Sequence, residues 1–409
     1  MPACSRFLTL DAMRGFAVMG ILLMNIIAFS MPGMAYINPR LWGGETPIDY
    51  AMWSLNFVAI DGKMRGLFSL LFGASTLLIY ERTSALGGAI APLCRRFAWL
   101  LLLGLCHYLF IWWGDILRLY AIAGFILLLF VRREPMDLIK AAVFCFLLQF
   151  IILAAMSGGM LRLEHAASMP GASTSILHAY QALLGSLGAD PAIQEREIAL
   201  HQGSYAVLVL HRFILLGSEQ INLLALSGPE ALGFMLLGMA MLKSGFLTGA
   251  WHRSEYLRIA RLGYLAGGVP MIGLAYWCWS SDFEILATFN AVMSWSLPFR
   301  VPLTIAHAAL LMWLVLRFAN SSMIERIAAA GRAAFTNYVG ASIILTTLFY
   351  GYGAGLYGRF GRVEVYGFVF LLWSLMLLWS RPWLKRFRYG PLEWTWRSLT
   401  RWGPQPMRI

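Results

Sequence analysis

The sequence predicts an all-α fold, a polytopic transmembrane helix bundle of about ten spans. Three observations predict it. The 409 residues are 59% hydrophobic and only 13% charged, where soluble domains average roughly 45–50% apolar and about 25% charged. Mean hydropathy is +0.67. Apolar runs close to the roughly 20 residues needed to cross a bilayer recur along the chain, separated by short polar breaks. Together these exclude intrinsic disorder, a secreted disulfide scaffold and a soluble nucleotide-binding enzyme.

The expected spans are 13–31, 62–80, 97–113, 115–131, 138–157, 229–246, 260–280, 300–318, 333–351 and 364–381. Ala28-Phe29-Ser30 faintly resembles a leader-cleavage site, but Asp11 in the entry to the first run is foreign to cleaved leaders, so that run reads as span one. Residues 42–61 read as an outer-face helix feeding span two. Residues 158–204 are the only long polar stretch and read as a periplasmic loop or small helical cap. Residues 205–224 are apolar but hold His211, Arg212, Glu219 and Gln220. Because charge inside lipid is costly, an interfacial or re-entrant helix is expected there rather than an eleventh span. The chain thus divides into a five-span half (1–157), a periplasmic loop with that interfacial helix (158–228), a second five-span half (229–381) and a cytoplasmic basic-aromatic tail (382–409). In the tail, Pro391 at a helix start followed by interleaved Trp and Arg predicts a C-terminal helix lying on the inner membrane surface.

Ten spans place both termini on one side. With that side cytoplasmic, about two thirds of the 32 Lys+Arg fall inside, among them Arg82, Arg95, Arg96, Arg132, Arg133 and Arg332. The net charge of +12 is then mostly topological, and it predicts no nucleic-acid partner. The expected protein is therefore a multi-pass membrane protein. The five cysteines (Cys4, Cys94, Cys106, Cys145, Cys278) form no CxxC pair and no zinc-spaced cluster, so neither a disulfide framework nor a metal is expected. No G-x-x-x-x-G-K-[ST] loop, HExxH or GxSxG occurs.

Polar side chains at membrane depth are functional candidates by default. Asn25 lies near the outer end of span one, and Asp61, Lys63 and Arg65 open span two. His107 lies in span three, and Asp115 sits at the turn that follows it. His107 suits general-base work near neutral pH, and Asp115 or Asp61 could orient its ring. The competing reading of His107 is a histidine bonded to a neighbouring helix, and this reading is stronger for His307. The carboxamides of Asn25 and Asn337 suit a substrate carbonyl or oxyanion, or interhelical bonding. Gly73 belongs to a small-residue packing face.

Residues 10–26, Lys63 to Gly73, His107 through Gly114-Asp115 to Tyr120, Gly331 to Tyr338, and Gly390-Pro391-Leu392-Glu393-Trp394 together resemble the bacterial YeiB family of inner-membrane proteins. The resemblance implies a more distant similarity to transmembrane acyltransferases such as heparan-alpha-glucosaminide N-acetyltransferase, which pass an acyl group from cytoplasmic acyl-coenzyme A to an acceptor on the far side. Arg14-Gly15, with Asn25 eleven positions after the arginine, looks like the first core helix of that branch. The branch carries a catalytic histidine a further eleven residues on, where this chain has Tyr36. Another base is then required, and His107 is the candidate.

The resemblance leads to an expected acyltransferase. Its donor is acetyl-CoA or another acyl-CoA, with the phosphates held by Arg14, Arg95 and Arg332. His107, Asp115 and Asn25 would be catalytic, and Asp61, Lys63, Arg65 and Asn337 would contact the acceptor. Expected partners are the lipid bilayer, a small-molecule or glycan acceptor and, at most, a second copy of the chain in a homodimer. The rival expectation is a transporter or exporter of a small amphiphilic or anionic compound, using the same polar cluster.

Overall fold

The computed structural model describes residues 3–85 and 90–409; the side chains of residues 3–7, including Cys4 and Arg6, lie outside the described set. About 79% of the chain is helical and the described residues form no strand. In chain order the helices are α1 (Ala3–Ser30), α2 (Pro47–Ala59), α3 (Lys63–Ser84), α4 (Ala91–Phe110), α5 (Leu117–Leu127), α6 (Pro135–Ser168), α7 (Thr174–Leu184), α8 (Pro191–His201) and α9 (Tyr205–Lys243). They continue with α10 (Arg253–Gly263), α11 (Val269–Ser280), α12 (Ile285–Asn290), α13 (Leu297–Arg317), α14 (Ser322–Arg332), α15 (Ala334–Phe349), α16 (Tyr366–Arg386) and α17 (Pro391–Thr400). This is an all-α polytopic bundle.

Among the described residues, seven segments are long and apolar enough to cross a membrane: α1, α4, α6, α9, α10 running into α11, α13 and α16. The other three expected spans correspond to α3, α5 and α15. Of these α5 and α15 are short, and α3 carries Lys63, Arg65, Glu81 and Arg82. All three bury much of their surface in the bundle, where backbone and charge find partners inside the protein rather than in lipid.

Two expectations need correction. Residues 205–224 are not a separate re-entrant element, because they form the first half of the 39-residue α9 and continue unbroken past Pro229. A boundary at 228 therefore falls inside a helix. Residues 158–168, assigned to the loop, are the last turns of α6. Continuity through Pro229 has a local cause. Proline removes the bond to the Ala225 carbonyl, and the buried Gln149 of α6 donates to that carbonyl at 3.0 Å while accepting from the Glu230 amide at 3.3 Å.

Glycines set the two closest helix crossings. A Cβ on Gly331 of α14 would lie 1.8 Å from the Asp11 carbonyl oxygen, and one on Gly15 of α1 would lie 2.1 Å from the Ile327 carbonyl oxygen. Gly73 of α3 and Gly238 of α9 make the same kind of crossing, with 2.0 Å to the Met235 oxygen and 1.9 Å to the Leu70 oxygen. Gly73 is thus a packing residue, as its surroundings in the sequence suggest. The first crossing brings Arg14 and Arg332 to the same end of the bundle. The C-terminal helix α17 docks there too, its buried Trp396 donating to the Arg96 carbonyl at 2.9 Å. Both chain ends therefore share one end of the bundle, and α2, α7, α8 and the 31–46 and 350–365 loops cover the other. In that cover Glu197 of α8 accepts from the Gly33 amide at 2.8 Å, and His201 stacks on Tyr357 at 4.3 Å.

Gly331→Ala is expected to destabilise by about 1–3 kcal/mol, since the clashing partner is backbone and cannot rotate away. Gly340→Ala, inside α15 at a site with nothing within 4 Å, should not destabilise and should gain up to about 1 kcal/mol from helix propensity. Thermal unfolding of both variants in detergent tests the contact, and equal melting points would refute it.

Candidate functional site

Among the cavities of the described residues, two share lining side chains in the middle of the bundle. The first, of about 300 Å³, lies toward the covered end and is lined by Asn25, Tyr36, Arg65, Asp115, Arg118 and Glu219, among others. The second, of about 390 Å³, opens at the end that holds the chain termini. Ile21 of α1, Ile116 of the α4–α5 turn and Tyr338 of α15 line both, so these three side chains form the constriction between them.

The second cavity is strongly basic. Arg14, Arg82, Arg96, Arg332, Arg388 and Arg397 line it, against Asp11 and Glu393. Arg14 bonds Asp11 and the Ser75 hydroxyl, each at 3.0 Å. Arg96 lies 3.4 Å over the Trp396 ring and Arg397 4.5 Å over the Tyr389 ring. Glu393 is committed to helix α15, accepting from the Phe335 amide at 2.7 Å, the Thr336 amide at 3.1 Å and the Thr336 hydroxyl at 2.6 Å. Burial lifts its carboxyl above the ordinary glutamate range, while these three donors favour the ionised form. Of the three arginines expected at a phosphate site, Arg14 and Arg332 line the cavity and Arg95 does not. Its neighbour Arg96 stands in the lining instead. The C-terminal helix is more than a surface anchor, because it walls this cavity with Glu393, Trp396 and Arg397.

In the first cavity the controlling carboxylate is Asp115. It caps α5, accepting from the amides of Leu117 at 3.2 Å and Arg118 at 3.0 Å. It also pairs with the Arg118 Nε at 3.3 Å and the His107 Nδ1 at 3.0 Å. Gly104 of α4 lets the hairpin close this tightly, since a Cβ there would lie 2.8 Å from the Arg118 amide nitrogen. The Asp115 contact assigns the proton to Nδ1 and leaves the lone pair on Nε2. His107 is 2% exposed, and among the described residues its Nε2 has no hydrogen-bond partner. Its ring does not line the cavity; it sits behind Asp115, 5.2 Å from the Tyr338 ring. Asn25 faces the cavity, and among the described residues its carboxamide has no hydrogen-bond partner.

The other expected contacts divide. Arg65 lines the cavity and pairs with Glu230 at 2.9 Å, and Arg300 approaches the same carboxylate at 3.6 Å. Asp61 stands behind the wall and accepts from the Tyr36 hydroxyl at 2.6 Å. Lys63 is fully buried and donates to the Phe57 carbonyl at 2.6 Å, away from the cavity. Asn337 is an interhelical bond: its amide donates to the Ala330 carbonyl at 2.9 Å and its oxygen accepts from Trp379 at 2.8 Å. The lining residue on that turn is Tyr338. His307 bonds the Leu303 carbonyl of its own helix at 2.7 Å. Arg118 and Glu230 were not picked from the sequence, and of Thr336-Asn337-Tyr338 the sequence reading chose Asn337. Arg118 and Glu230 had a readable signal, since each is a charge inside an apolar run.

The class this defines is a membrane-embedded helical bundle with a basic chamber at the end of its termini, a polar chamber toward the other end and an apolar neck between them. The comparisons with known proteins place it further: the chain belongs to the YeiB family. It is 32% identical to the protein named "Uncharacterized protein YeiB" of Escherichia coli (strain K12) over 97% of this chain and 96% of that one. It is 32% identical to "Uncharacterized protein YxaH" of Bacillus subtilis (strain 168), over 97% and 95%. A 39.9 kDa protein of Bacillus acidopullulyticus is 24% identical over 96% and 93%. Residues 241–403 match the family model described as "Protein of unknown function (DUF418)". No solved structure matches the chain.

Asp115→Ala is expected to cost about 3–5 kcal/mol, because it leaves the buried Arg118 without a counter-charge. Asn25→Ala should change stability by less than about 0.5 kcal/mol, since no bond is lost. Melting curves in detergent separate the two, and comparable losses would show that Asn25 is structural.

Proposed function

We propose that this protein is a membrane-bound acyltransferase that takes an acyl group from cytoplasmic acyl-CoA and delivers it to a hydroxyl or amine at the periplasmic side of the bacterial inner membrane. The observation that supports this reading is the pair of chambers joined at one neck. Six arginines around an aromatic-walled cavity suit a ligand with several phosphates, because guanidinium groups bind phosphate bidentately. A narrow apolar neck suits the uncharged pantetheine arm, which would place the thioester beside Ile21, Tyr338 and Asn25. The excess of arginine at the chain-termini end makes that end cytoplasmic.

In this reading Arg14, Arg96, Arg332, Arg388 and Arg397 hold the donor's phosphates. The Asn25 amide donates to the thioester oxygen as charge develops on it. His107, with its proton fixed on Nδ1 by Asp115, offers the Nε2 lone pair to the acceptor proton. That transfer needs a rearrangement that brings the buried His107 ring, which lies outside the cavity lining, within reach of the chamber. A second proton acceptor, Tyr36 bonded to Asp61, already lines the chamber. Two chambers in line also suit a transporter, which differs in releasing no coenzyme A.

Acetyl-CoA should raise the melting temperature of the purified protein in detergent, and an Arg96→Ala/Arg397→Ala double variant should weaken that binding at least tenfold. No shift at saturating acetyl-CoA would sink the acyltransferase reading. His107→Gln should abolish coenzyme A release while keeping donor binding. Release retained in His107→Gln but lost in Tyr36→Phe would move the base to the Tyr36–Asp61 pair.

A further inference from the structure

We infer that the acceptor is an amphiphile that reaches the polar chamber sideways from the outer leaflet, past the middle of α9, with its hydrocarbon tail left in the bilayer. This rests on the acyltransferase reading for the chemistry, though not for the route.

The route follows from helix register. Helices α6 and α9 run antiparallel, locked at Gln149–Ala225 and Gln149–Glu230. Beyond Gln149 the apolar run of α6 continues through Leu161 and ends at Arg162, Glu164 and His165. That is a rise of roughly 16–18 Å at 1.5 Å per residue. The same rise along α9 from Ala225 reaches about residue 214. Glu219 and Asn222 therefore lie roughly 8 and 12 Å inside the apolar layer.

At that depth a carboxylate and a carboxamide are expensive on a helix facing lipid. Both line the polar chamber, Glu219 half-buried and Asn222 exposed, so the chamber opens where they stand. Exposed neighbours on the same helix are mostly apolar, with Ile214 70% and Ile221 68% exposed, and the hydroxyl of the exposed Ser218 between them is bonded to the Leu215 carbonyl of its own helix. A mouth that is polar within and apolar around its rim, set below the membrane surface, matches a molecule with a polar head and an alkyl tail. A water-soluble acceptor would need a mouth in the aqueous cap. The plainer reading is that Glu219 extends along the helix to the interface. It leaves Asn222 unexplained, because that side chain is too short to reach water from there.

The transfer balances without a further reactant. The head-group oxygen or nitrogen bonds to the thioester carbonyl carbon, the carbon–sulfur bond breaks, and the proton lost by the acceptor ends on the released thiol. An Asn or Glu at the mouth would orient the head group by hydrogen bonds, and the tail need never leave the bilayer.

The route is tested in a full-length background with the five cysteines replaced by alanine. Asn222→Cys, and independently Ser227→Cys, would carry a bimane fluorophore in vesicles of phosphatidylethanolamine and phosphatidylglycerol. Quenching by a lipid bearing a doxyl group near its head is expected to exceed quenching by aqueous iodide at least twofold. The reverse order at both positions would overturn the lateral mouth, whatever the enzyme does. In vesicles of the source cell's total lipid, radiolabelled acetyl-CoA should place label in the chloroform–methanol extract. Leu226→Trp, which plugs the mouth, should lower that label at least tenfold with the acetyl-CoA melting shift intact. Label found only in water-soluble product would overturn the amphiphilic acceptor and keep acyl transfer; absence of any acetyl-CoA shift would instead remove the acyltransferase reading.

Discussion

A charge held at membrane depth has to be met by a partner inside the protein, and the architecture around the neck follows from that requirement. Asp115 shows it most clearly. One carboxylate closes the α4–α5 hairpin, caps α5, neutralises Arg118 and fixes the tautomer of His107. Each of these would be costly alone, and together they leave Asp115 with both oxygens occupied. Its stability role and its proposed positioning role are the same set of bonds. Glu230 does comparable work one helix away, holding Arg65 against the chamber wall with Arg300 behind.

The spans were legible because hydropathy is a property of composition, and lipid imposes it residue by residue. The His107–Asp115 pair was legible because a short turn forces two polar groups, eight positions apart, onto one hairpin. Gly73 was legible for the same reason that Gly331 matters: only glycine permits two helix backbones to touch. What failed was helical phase. Arg95 and Arg96 differ by about 100° around α4, and nothing in one sequence says which of them faces a cavity. Asn337 and Tyr338 differ by the same rotation, and the carboxamide proved to be the packing member. The expected break in 205–224 failed for another reason. Its charges were weighed as if lipid were their only surroundings, whereas Arg212 donates to the Leu109 carbonyl at 3.3 Å and is 3% exposed.

The C-terminal helix illustrates how a correct local reading can miss a role. Interleaved tryptophan and arginine do describe a helix suited to a membrane surface. The structure spends the same residues inward: Trp396 receives Arg96 on its face and donates to the backbone of α4, while Glu393 holds the start of α15. A segment distant in sequence thereby completes the basic chamber. Six arginines converging on one space repel one another, and the two rings stacked by guanidinium groups, together with Asp11 and Glu393, offset part of that repulsion.

Gln149 ties these chambers to a single helix defect. Proline at 229 frees a carbonyl and disturbs the ladder next to Glu230, and an unmet carbonyl or amide in this setting costs about 1–3 kcal/mol. One buried glutamine meets both groups from α6, so the helix stays continuous through Pro229. Along that continuous helix Glu219 and Asn222 line the first cavity, and Glu230 pairs with Arg65. A leucine at 149 would fill similar space but meet neither group. The expected result is therefore a less stable protein whose Arg65 is also less well held.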